Sequence, residues 1–194
     1  MLALLLGGSW ASGVNLYLTV AGLGIAGRMG WMQLPGELQV LGEPIIIGVA
    51  LLLYIIEFFA DKIPYVDSAW DSVHTFIRPV GAAAIAYMAA PEAEPLIQTA
   101  AAFMGGTIAL DSHLTKAATR IAINASPEPV SNTIASVAED VTVIGALWLI
   151  IQHPIIVSVS VIVFFALSLW LMPKLIRLLI KGFKRVFGKK EERS

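Results

Sequence analysis

Long apolar segments recur along this chain of 194 residues, and they restrict it to few folds. A helix needs about 20 mainly apolar residues to cross the hydrocarbon core of a bilayer. The chain is 57% hydrophobic and only 14% charged, whereas about 25% of the residues of a soluble domain are charged. These features predict an all-α integral membrane protein.

Four apolar segments are suited to cross the membrane, residues 5–26, 44–59, 135–151 and 155–172, and we expect Pro173 to end the last. The first is not read as a signal peptide, because it lacks a positively charged beginning. Between Pro79 and Leu110, two apolar pieces of 11 and 15 residues are too short to span. They form a broken or re-entrant helix pair in the middle of the chain, or the second spans alone with its polar continuation. We therefore expect five or six transmembrane helices.

An internal similarity suggests two related halves. GGSWASGVNLYLTVAGLGIAG at Gly7 resembles GGTIALDSHLTKAATRIAINA at Gly105. Repeated halves are common in transporters, although small and apolar residues also agree by chance. We predict one membrane domain, residues 1–173, with half-repeats at about 5–90 and 96–173 as the alternative to an unrepeated chain.

A basic tail, residues 174–194, follows the last span. Helical spacing places Lys174, Arg177, Lys181 and Arg185 on one face. This is typical of an interfacial helix that binds anionic lipids, and equally of an ordinary stop-transfer tail. Either interpretation places the C-terminus in the cytoplasm. The N-terminus would then lie outside with five spans and inside with six.

The segment HLTKAATRIAINASPEPVSNTIASVAED holds the first polar cluster. Its arms carry polar stripes on single helix faces, one of His113, Lys116, Arg120 and Asn124, the other of Asn132, Ser136, Glu139 and Asp140. Ser126 and Pro127 between the arms are typical of the start of a helix. The pattern predicts two antiparallel helices whose cationic and anionic stripes face each other.

A second polar cluster follows the second apolar segment. Asp67, Asp71, His74 and Arg78 share one helix face at spacings of 4, 3 and 4 residues. We expect them to pair with each other, or with Glu57, Asp61 and Lys62 just before them.

These polar residues need a reason to lie in so apolar a chain. A charge at the bilayer centre costs about 2.5–3.5 kcal/mol on insertion scales, so charged side chains pair, face the protein interior or line water. Three interpretations stay open. They are a scaffold whose ion pairs fix the packing, a path for an ion or small polar solute, and a lipid-headgroup enzyme with Asp71 and His74 as acid and base.

Our leading hypothesis is a small transporter or channel. His113, Lys116 and Arg120 would attract an anionic group, while Glu57, Asp61, Glu139 and Asp140 would pair with them or carry a proton or cation. Because the chain is small, we expect a homodimer to enclose the path.

Other chemistry has little support in the sequence. Asp67, Asp71 and His74 are spaced to ligate a divalent cation, but the chain has no paired histidines, and we expect no metal. With no cysteine, no phosphate loop and no dinucleotide fingerprint, we also expect no cofactor, no catalytic residue and no nucleic-acid partner.

Four motifs carry a resemblance that covers residues 8–173. SGVNLYLTVAGLGIAGRMG, EFFADKIPYVDSAWDSVHTFIRP, TKAATRIAINASPEPVSN and SVAEDV resemble a bacterial membrane family catalogued as domain of unknown function 4126. The resemblance implies a small multi-span protein of the bacterial cytoplasmic membrane. It implies no activity, substrate or catalytic residue.

Overall fold

The structure, a computed structural model, describes residues 1–63, 65–124 and 129–191, without the side chains of residues 124, 129, 175–176 and 178–191. All regular structure in these ranges is helical, so the predicted all-α class is confirmed for them. The helices are α1 Leu2–Val14, α2 Leu16–Arg28, α3 Pro44–Ala60, α4 Val66–Met88, α5 Pro95–Asn124, α6 Pro129–Gln152 and α7 Pro154–Glu191, with a 3-10 helix at Gly36–Gly42 before α3.

The first predicted span is broken at Asn15, which has extended backbone angles (φ −150°, ψ 100°) and separates α1 from α2. Both helices lie along α6. Ile150 lies 2.9 Å from the position of a Cβ at Gly7, and Leu147, one turn away on α6, would contact a Cβ at Gly22. Because Gly7 and Gly22 stand on opposite sides of Asn15 in sequence, α1 and α2 form a helical hairpin instead of one long helix.

One end of the bundle collects the polar segments. Here α3 ends, α4 begins, α5 ends and α6 begins, and we call it the polar end. α7 runs parallel to α5, since Asp111 bonds Ser168 and the earlier Phe103 shares a cavity with Val161. The C-terminal half of α7 therefore lies at the polar end. The hairpin of α1 and α2 enters from the opposite end, and its tip at Asn15 is directed towards the polar end.

Among the residues that the structure describes, two helical segments are long and apolar enough to cross a bilayer alone. They are Val130–Gln152 in α6 and Pro154–Lys174 in α7, with mean hydropathies of 1.9 and 2.7. A third span results if the 3-10 helix and α3, which meet at a bend of 66°, are counted together. These segments indicate a membrane protein, while the number of five or six spans stays a prediction.

The middle of the chain differs from the predicted broken or re-entrant pair. Residues 66–88 form one helix, α4, which continues through Pro79, and residues 95–124 form the single helix α5. Each short apolar piece is thus half of a longer helix whose other half is polar. We divided these helices where charges begin, but the polar halves are buried against each other and continue the same helices.

Pro173 lies inside α7 and does not end this helix, although the apolar segment that is long enough to span the membrane ends beside it, at Lys174. α7 continues to Glu191, since a proline inside a helix removes one backbone hydrogen bond without always stopping the helix. On the predicted basic face, Lys174 and Arg177 are exposed. The side chains of Lys181 and Arg185 lie outside the described residues.

The two glycine-rich segments that suggested a repeat lie side by side. A Cβ at Gly105 of α5 would stand 2.8 Å from Ser9 Oγ, and one at Gly13 of α1 would overlap Ala109. Such small residues let two helices approach closely. The matching positions differ in structure, since the helix breaks at Asn15 whereas α5 continues unbroken at His113. The half-repeat stays a prediction.

Candidate functional site

The two predicted polar clusters form one buried network. Eight ion pairs with N–O distances of 2.7–3.8 Å connect its members. They are the acids Glu57, Asp61, Asp67, Asp71 and Glu139 and the bases Arg78, Lys116 and Arg120, and we call these eight residues the charge network. Glu139 has the most exposed side chain, at 17%, so the network lies almost entirely inside the bundle.

Arg120 closes the network at the polar end. Its Nε and Nη2 donate to the two Glu139 oxygens at 3.1 and 2.7 Å. Nη1 donates to the carbonyl oxygens of Asp61 and Asn132 at 3.1 Å each. A guanidinium held by a two-point carboxylate contact has a fixed orientation. Arg120 therefore ties α5 to α6 and to the residue that follows α3.

Lys116 lies one helical turn deeper on α5 and is shared by three carboxylates. Its Nζ lies 2.9 Å from Asp61 Oδ2, 3.3 Å from Glu139 Oε2 and 3.7 Å from Glu57 Oε1. The carbonyl oxygen of Val14, at the end of α1, lies 3.4 Å from the same nitrogen. Lys116 thus joins the Arg120 contacts to the deeper part of the network.

Arg78 forms the deep part of the network. It lies about 18 Å along α4 from the start of that helix, at a rise of 1.5 Å per residue. Nη2 donates to Glu57 Oε1 at 2.8 Å and lies 3.5 Å from Asp71 Oδ1. Nη1 donates to the Gly13 carbonyl oxygen at 3.1 Å and to His113 Nδ1 at 2.7 Å. Arg78 therefore holds α3, α4, α5 and the hairpin together.

The partners of His113 fix its proton. Arg78 can only donate, so Nδ1 of His113 accepts and the proton lies on Nε2. Nε2 then donates to Thr75 Oγ1 and to the Asp71 carbonyl oxygen, at 2.9 and 3.1 Å. His113 is neutral in this arrangement and adds no charge to the network.

His74 is fixed in the same way by different partners. Its Nδ1 donates to the Trp70 carbonyl oxygen at 2.8 Å, and Nε2 accepts from the Tyr17 hydroxyl at 3.0 Å. Both nitrogens are used without a contact to the Asp71 carboxylate. The arrangement gives no support to an acid–base pair of Asp71 and His74.

The hairpin tip presents backbone polarity to the network. The Gly13 and Val14 carbonyl groups at the end of α1 face Arg78 and Lys116. Cations at the C-terminal end of a helix are stabilised by its dipole. The break at Asn15 therefore gives two buried cations oxygen partners that an unbroken helix would have used internally.

The start of α2 carries the opposite polarity. Asn15 Oδ1 accepts from the Leu18 amide at 3.0 Å and so caps α2. Its Nδ2 donates to Asp140 Oδ1 at 3.2 Å, and the Tyr54 hydroxyl donates to Asp140 Oδ2 at 2.9 Å. An anion near a helix N-terminus is favoured, and Asp140 thereby fixes the hairpin tip to α6 and α3.

The remaining predicted site residues lie beside the network. Asn132 and Ser136 are buried on α6, where Asn132 accepts from Arg120 and Ser136 Oγ lies 3.4 Å from Lys62 Nζ. Lys62 also donates to the Phe58 carbonyl oxygen at 2.9 Å. The side chain of Asn124 lies outside the described residues, as does the predicted helix start at Ser126 and Pro127.

Sequence reasoning missed four residues that the structure places at the site. Asn15, Tyr17, Tyr54 and Thr75 contact Asp140, His74 or His113. Asn15 carried a signal, because it is the first amide in an otherwise apolar segment and asparagine favours helix starts. Neither tyrosine stood out, since tyrosine is common in apolar helices.

The charge network contains more acid than its bases can balance. Five acids face three bases, an excess of two negative charges, and Lys62 with Asp140 at the edge adds one of each sign. Within the described part of the chain, Glu57 Oε2, Asp61 Oδ1 and both Asp71 oxygens accept no hydrogen bond, and Arg78 Nε donates none. The deep part of the network is therefore polar and incompletely bonded.

The charge network lines none of five cavities of about 290–630 Å³ that the described residues form. Across the described ranges, no three acidic or histidine side chains have the arrangement of a metal site, and this includes Asp67, Asp71 and His74.

A comparison with known protein families identifies the family of this chain. The family model described as domain of unknown function 4126 matches residues 2–174. The chain belongs to this family. The predicted resemblance is therefore confirmed, and it extends over the hairpin, the whole charge network and the described spans.

Neither the curated proteins nor the solved structures include a match to the chain. The family match ends at Lys174, just where the basic tail begins.

Proposed function

We propose that the protein is a small membrane transporter or channel for an ion or small polar solute, and that this ion is a proton or a cation. The observation that carries the proposal is the excess of two acids over bases in the charge network. Two uncompensated charges inside a membrane protein are costly, so they call for protons, a bound cation or water. A path for positive charge meets that need.

The contacts of the bases argue against an anionic substrate. Lys116 and Arg120 are the residues we expected to attract an anionic group. Each contacts three carboxylates at 2.7–3.8 Å. An anion would have to displace these partners, whereas a proton or cation would add to the unpartnered carboxylate oxygens.

The hairpin of α1 and α2 supports a path through the bundle. Non-helical backbone at membrane depth is tolerated where it is buried in protein or lines water, and transporters place such breaks at their ion sites. Here the break at Asn15 brings the Gly13 and Val14 carbonyl groups to Arg78 and Lys116.

The proposal includes an orientation and a location. Residues 174–191 of the basic tail are rich in lysine and arginine and form the C-terminal part of α7, which lies at the polar end. Under the positive-inside rule that end faces the cytoplasm. Five passes, α3 to α7, would then place the N-terminus outside. Glu139, the most exposed member, would be the entry from the cytoplasm of a bacterial cell, and a homodimer with anionic lipids at its tail belongs to the same proposal.

A scaffold function is the second candidate, and a specific observation favours it. The Arg120 end of the network is well bonded and largely buried, as ion pairs that only fix the packing would be. Buried ion pairs of that kind specify an arrangement more than they stabilise it. The incompletely bonded Arg78 end is what distinguishes the proposed path from such a scaffold.

Flux through reconstituted protein tests the choice. The protein is placed in proteoliposomes that contain a pH-sensitive dye, and proton uptake is driven by a potassium diffusion potential set with valinomycin. Sodium, potassium and ammonium fluxes are measured in parallel. We expect proton or cation flux above that of empty vesicles, and a return to the empty-vesicle level for Glu57→Gln, which removes a deep acid without changing its shape.

Glu94→Gln is the matched control, because Glu94 is exposed just before α5 and should leave flux unchanged. If no ion or solute crosses in wild-type vesicles, and Arg120→Ala only lowers stability, the scaffold function is the correct one.

A further inference from the structure

Asp71 is a buried acid whose carboxylate has no hydrogen-bond donor in the described structure. The residue is 3% exposed, and neither of its oxygens accepts a hydrogen bond. The closest cation is Arg78, whose Nη2 lies 3.5 Å from Asp71 Oδ1. A buried ionised carboxylate left in this state is expensive, because its lost hydration is not replaced. One long ion pair is therefore all that favours the charged form of Asp71 among these contacts.

Glu57 shares the same cation. Its Oε1 accepts from Arg78 Nη2 at 2.8 Å, while Oε2 has no partner in the described residues. Both acids thus lie within 3.5 Å of one nitrogen atom. Two carboxylates that share one cation repel each other, which favours the uptake of a proton by one of them.

The other groups around this pair do not remove the need for a proton. His113, the nearest titratable group of α5, donates to the Asp71 backbone and is neutral. Lys116 lies 3.7 Å from Glu57 but is shared with two more acids. The charged groups that face the pair are Asp61 after α3, Asp67 and Arg78 of α4, Lys116 and Arg120 of α5 and Glu139 of α6, and with the pair they sum to two negative charges.

We propose that Asp71 and Glu57 form a proton-binding acid pair around Arg78. Binding adds one proton to a carboxylate oxygen of Asp71, turns it into a carboxylic acid and lowers the excess charge of the network from two to one. The acid can then donate to Glu57 Oε2 or to a water beside Arg78 Nε, which uses atoms that are otherwise unbonded. Its role as the proton step of a path rests on the proposed function, whereas proton binding itself does not.

Infrared spectroscopy of the protein in nanodiscs tests the proposal without any flux. A protonated carboxylic acid has a carbonyl stretching band that is separate from amide and carboxylate bands and that shifts in D2O. We expect such a band in the wild type at neutral pH. Asp71→Asn, which keeps shape and polarity, should remove it, and Glu57→Gln should shift or remove it.

Glu94→Gln serves as the control for the loss of one exposed carboxylate and should leave the band unchanged. The proposal is overturned if the wild type shows no protonated acid at neutral pH, or if the band survives in both Asp71→Asn and Glu57→Gln. It is equally overturned if added sodium or potassium, at constant pH, perturbs the Asp71 carboxylate bands, since a cation would then occupy the pair. A band without flux would retain the acid pair and refute transport.

Discussion

The two arginines of the charge network show opposite patterns of bonding. Every nitrogen of Arg120 donates to an oxygen, and its main partner Glu139 uses both carboxylate oxygens. Arg78 leaves Nε unbonded in the described structure, and its neighbours Glu57 and Asp71 keep oxygens without donors. Both arginines are almost fully buried, so burial alone does not explain the difference.

The difference separates a structural group from a reactive one. A buried ion pair with complete hydrogen bonding is expensive to break and has little to offer a guest. When the hydrogen bonding is incomplete, buried polar atoms have lost their hydration without gaining a partner, and a proton, cation or water can supply one. Arg120 and its partners, which we call the Arg120 group, therefore fix the helices. Arg78 and its partners, the Arg78 group, keep buried polar atoms without hydrogen bonds in the described structure, as a binding site would.

Arg120→Ala should have the largest effect on stability. It leaves Glu139 and Asp61 buried without their guanidinium partner, and breaking a buried ion pair in this way costs about 3–5 kcal/mol. The loss should appear as a lower free energy of unfolding in denaturant titrations of the detergent-solubilised protein. Arg28→Ala is the control, because Arg28 is exposed and makes one bond of 3.4 Å to the Gly42 carbonyl oxygen. Equal effects of both would remove the structural role of the Arg120 group.

Gly13→Ala should have the next largest effect, and it reaches the Arg78 group through the hairpin. A Cβ at Gly13 would overlap Ala109 and Ser112, so α1 must move away from α5. Overpacking of this kind costs about 1–3 kcal/mol, and here it also displaces the carbonyl oxygen that Arg78 binds. The free energy of unfolding measures the loss. Gly145→Ala, where nothing lies within 4 Å of the added Cβ, should be neutral.

If Gly13→Ala is as harmless as Gly145→Ala, α1 and α5 do not pack at the distance described. The hairpin would then be a looser element than the network requires.

Tyr54→Phe should have a smaller effect, since it removes one bond at the edge of the network. The Tyr54 hydroxyl donates to Asp140, which also holds the hairpin tip through Asn15. Side-chain hydrogen bonds in membrane proteins contribute about 0.6 kcal/mol on average, and at most about 1.7. Tyr87→Phe, at an exposed position on α4, gives the matched background. A loss as large as that of Arg120→Ala would mean that Asp140 belongs to the structural group.

Helical spacing predicted most of the site because burial follows helix faces. Asp67, Asp71, His74 and Arg78, spaced at 4, 3 and 4 residues, are all buried on one face of α4. The expected pairing of Lys116 with Glu57 and Asp61 is also present. A charged side chain in an apolar protein must pair or lie inside the protein. The helix face that carries it and the sign of its charge therefore strongly restrict which partner it contacts.

The hairpin could not be predicted from the same pattern. Residues 5–26 have the length and polarity of one span, and only Asn15 interrupts them. What decides the turn is tertiary, namely the oxygen partners that the opened backbone offers Arg78 and Lys116. The reverse error occurred in α4 and α5, where each polar segment predicted as helical continues the neighbouring apolar piece as one helix.

Asp71→Asn should have the smallest effect on stability and therefore gives the sharpest test of the comparison. The carboxylate accepts no hydrogen bond in the described structure and has one ion pair, of 3.5 Å to Arg78, and an amide of equal volume removes the charge, so we expect a loss smaller than that of Tyr54→Phe or a slight gain. Asp61→Asn is the matched variant from the Arg120 group. Its Oδ2 lies 2.9 Å from Lys116 and 3.3 Å from Arg120, so the same chemical change should be clearly destabilising. Denaturant titrations of both variants measure the contrast, and similar losses would show that the two ends of the network are bonded alike.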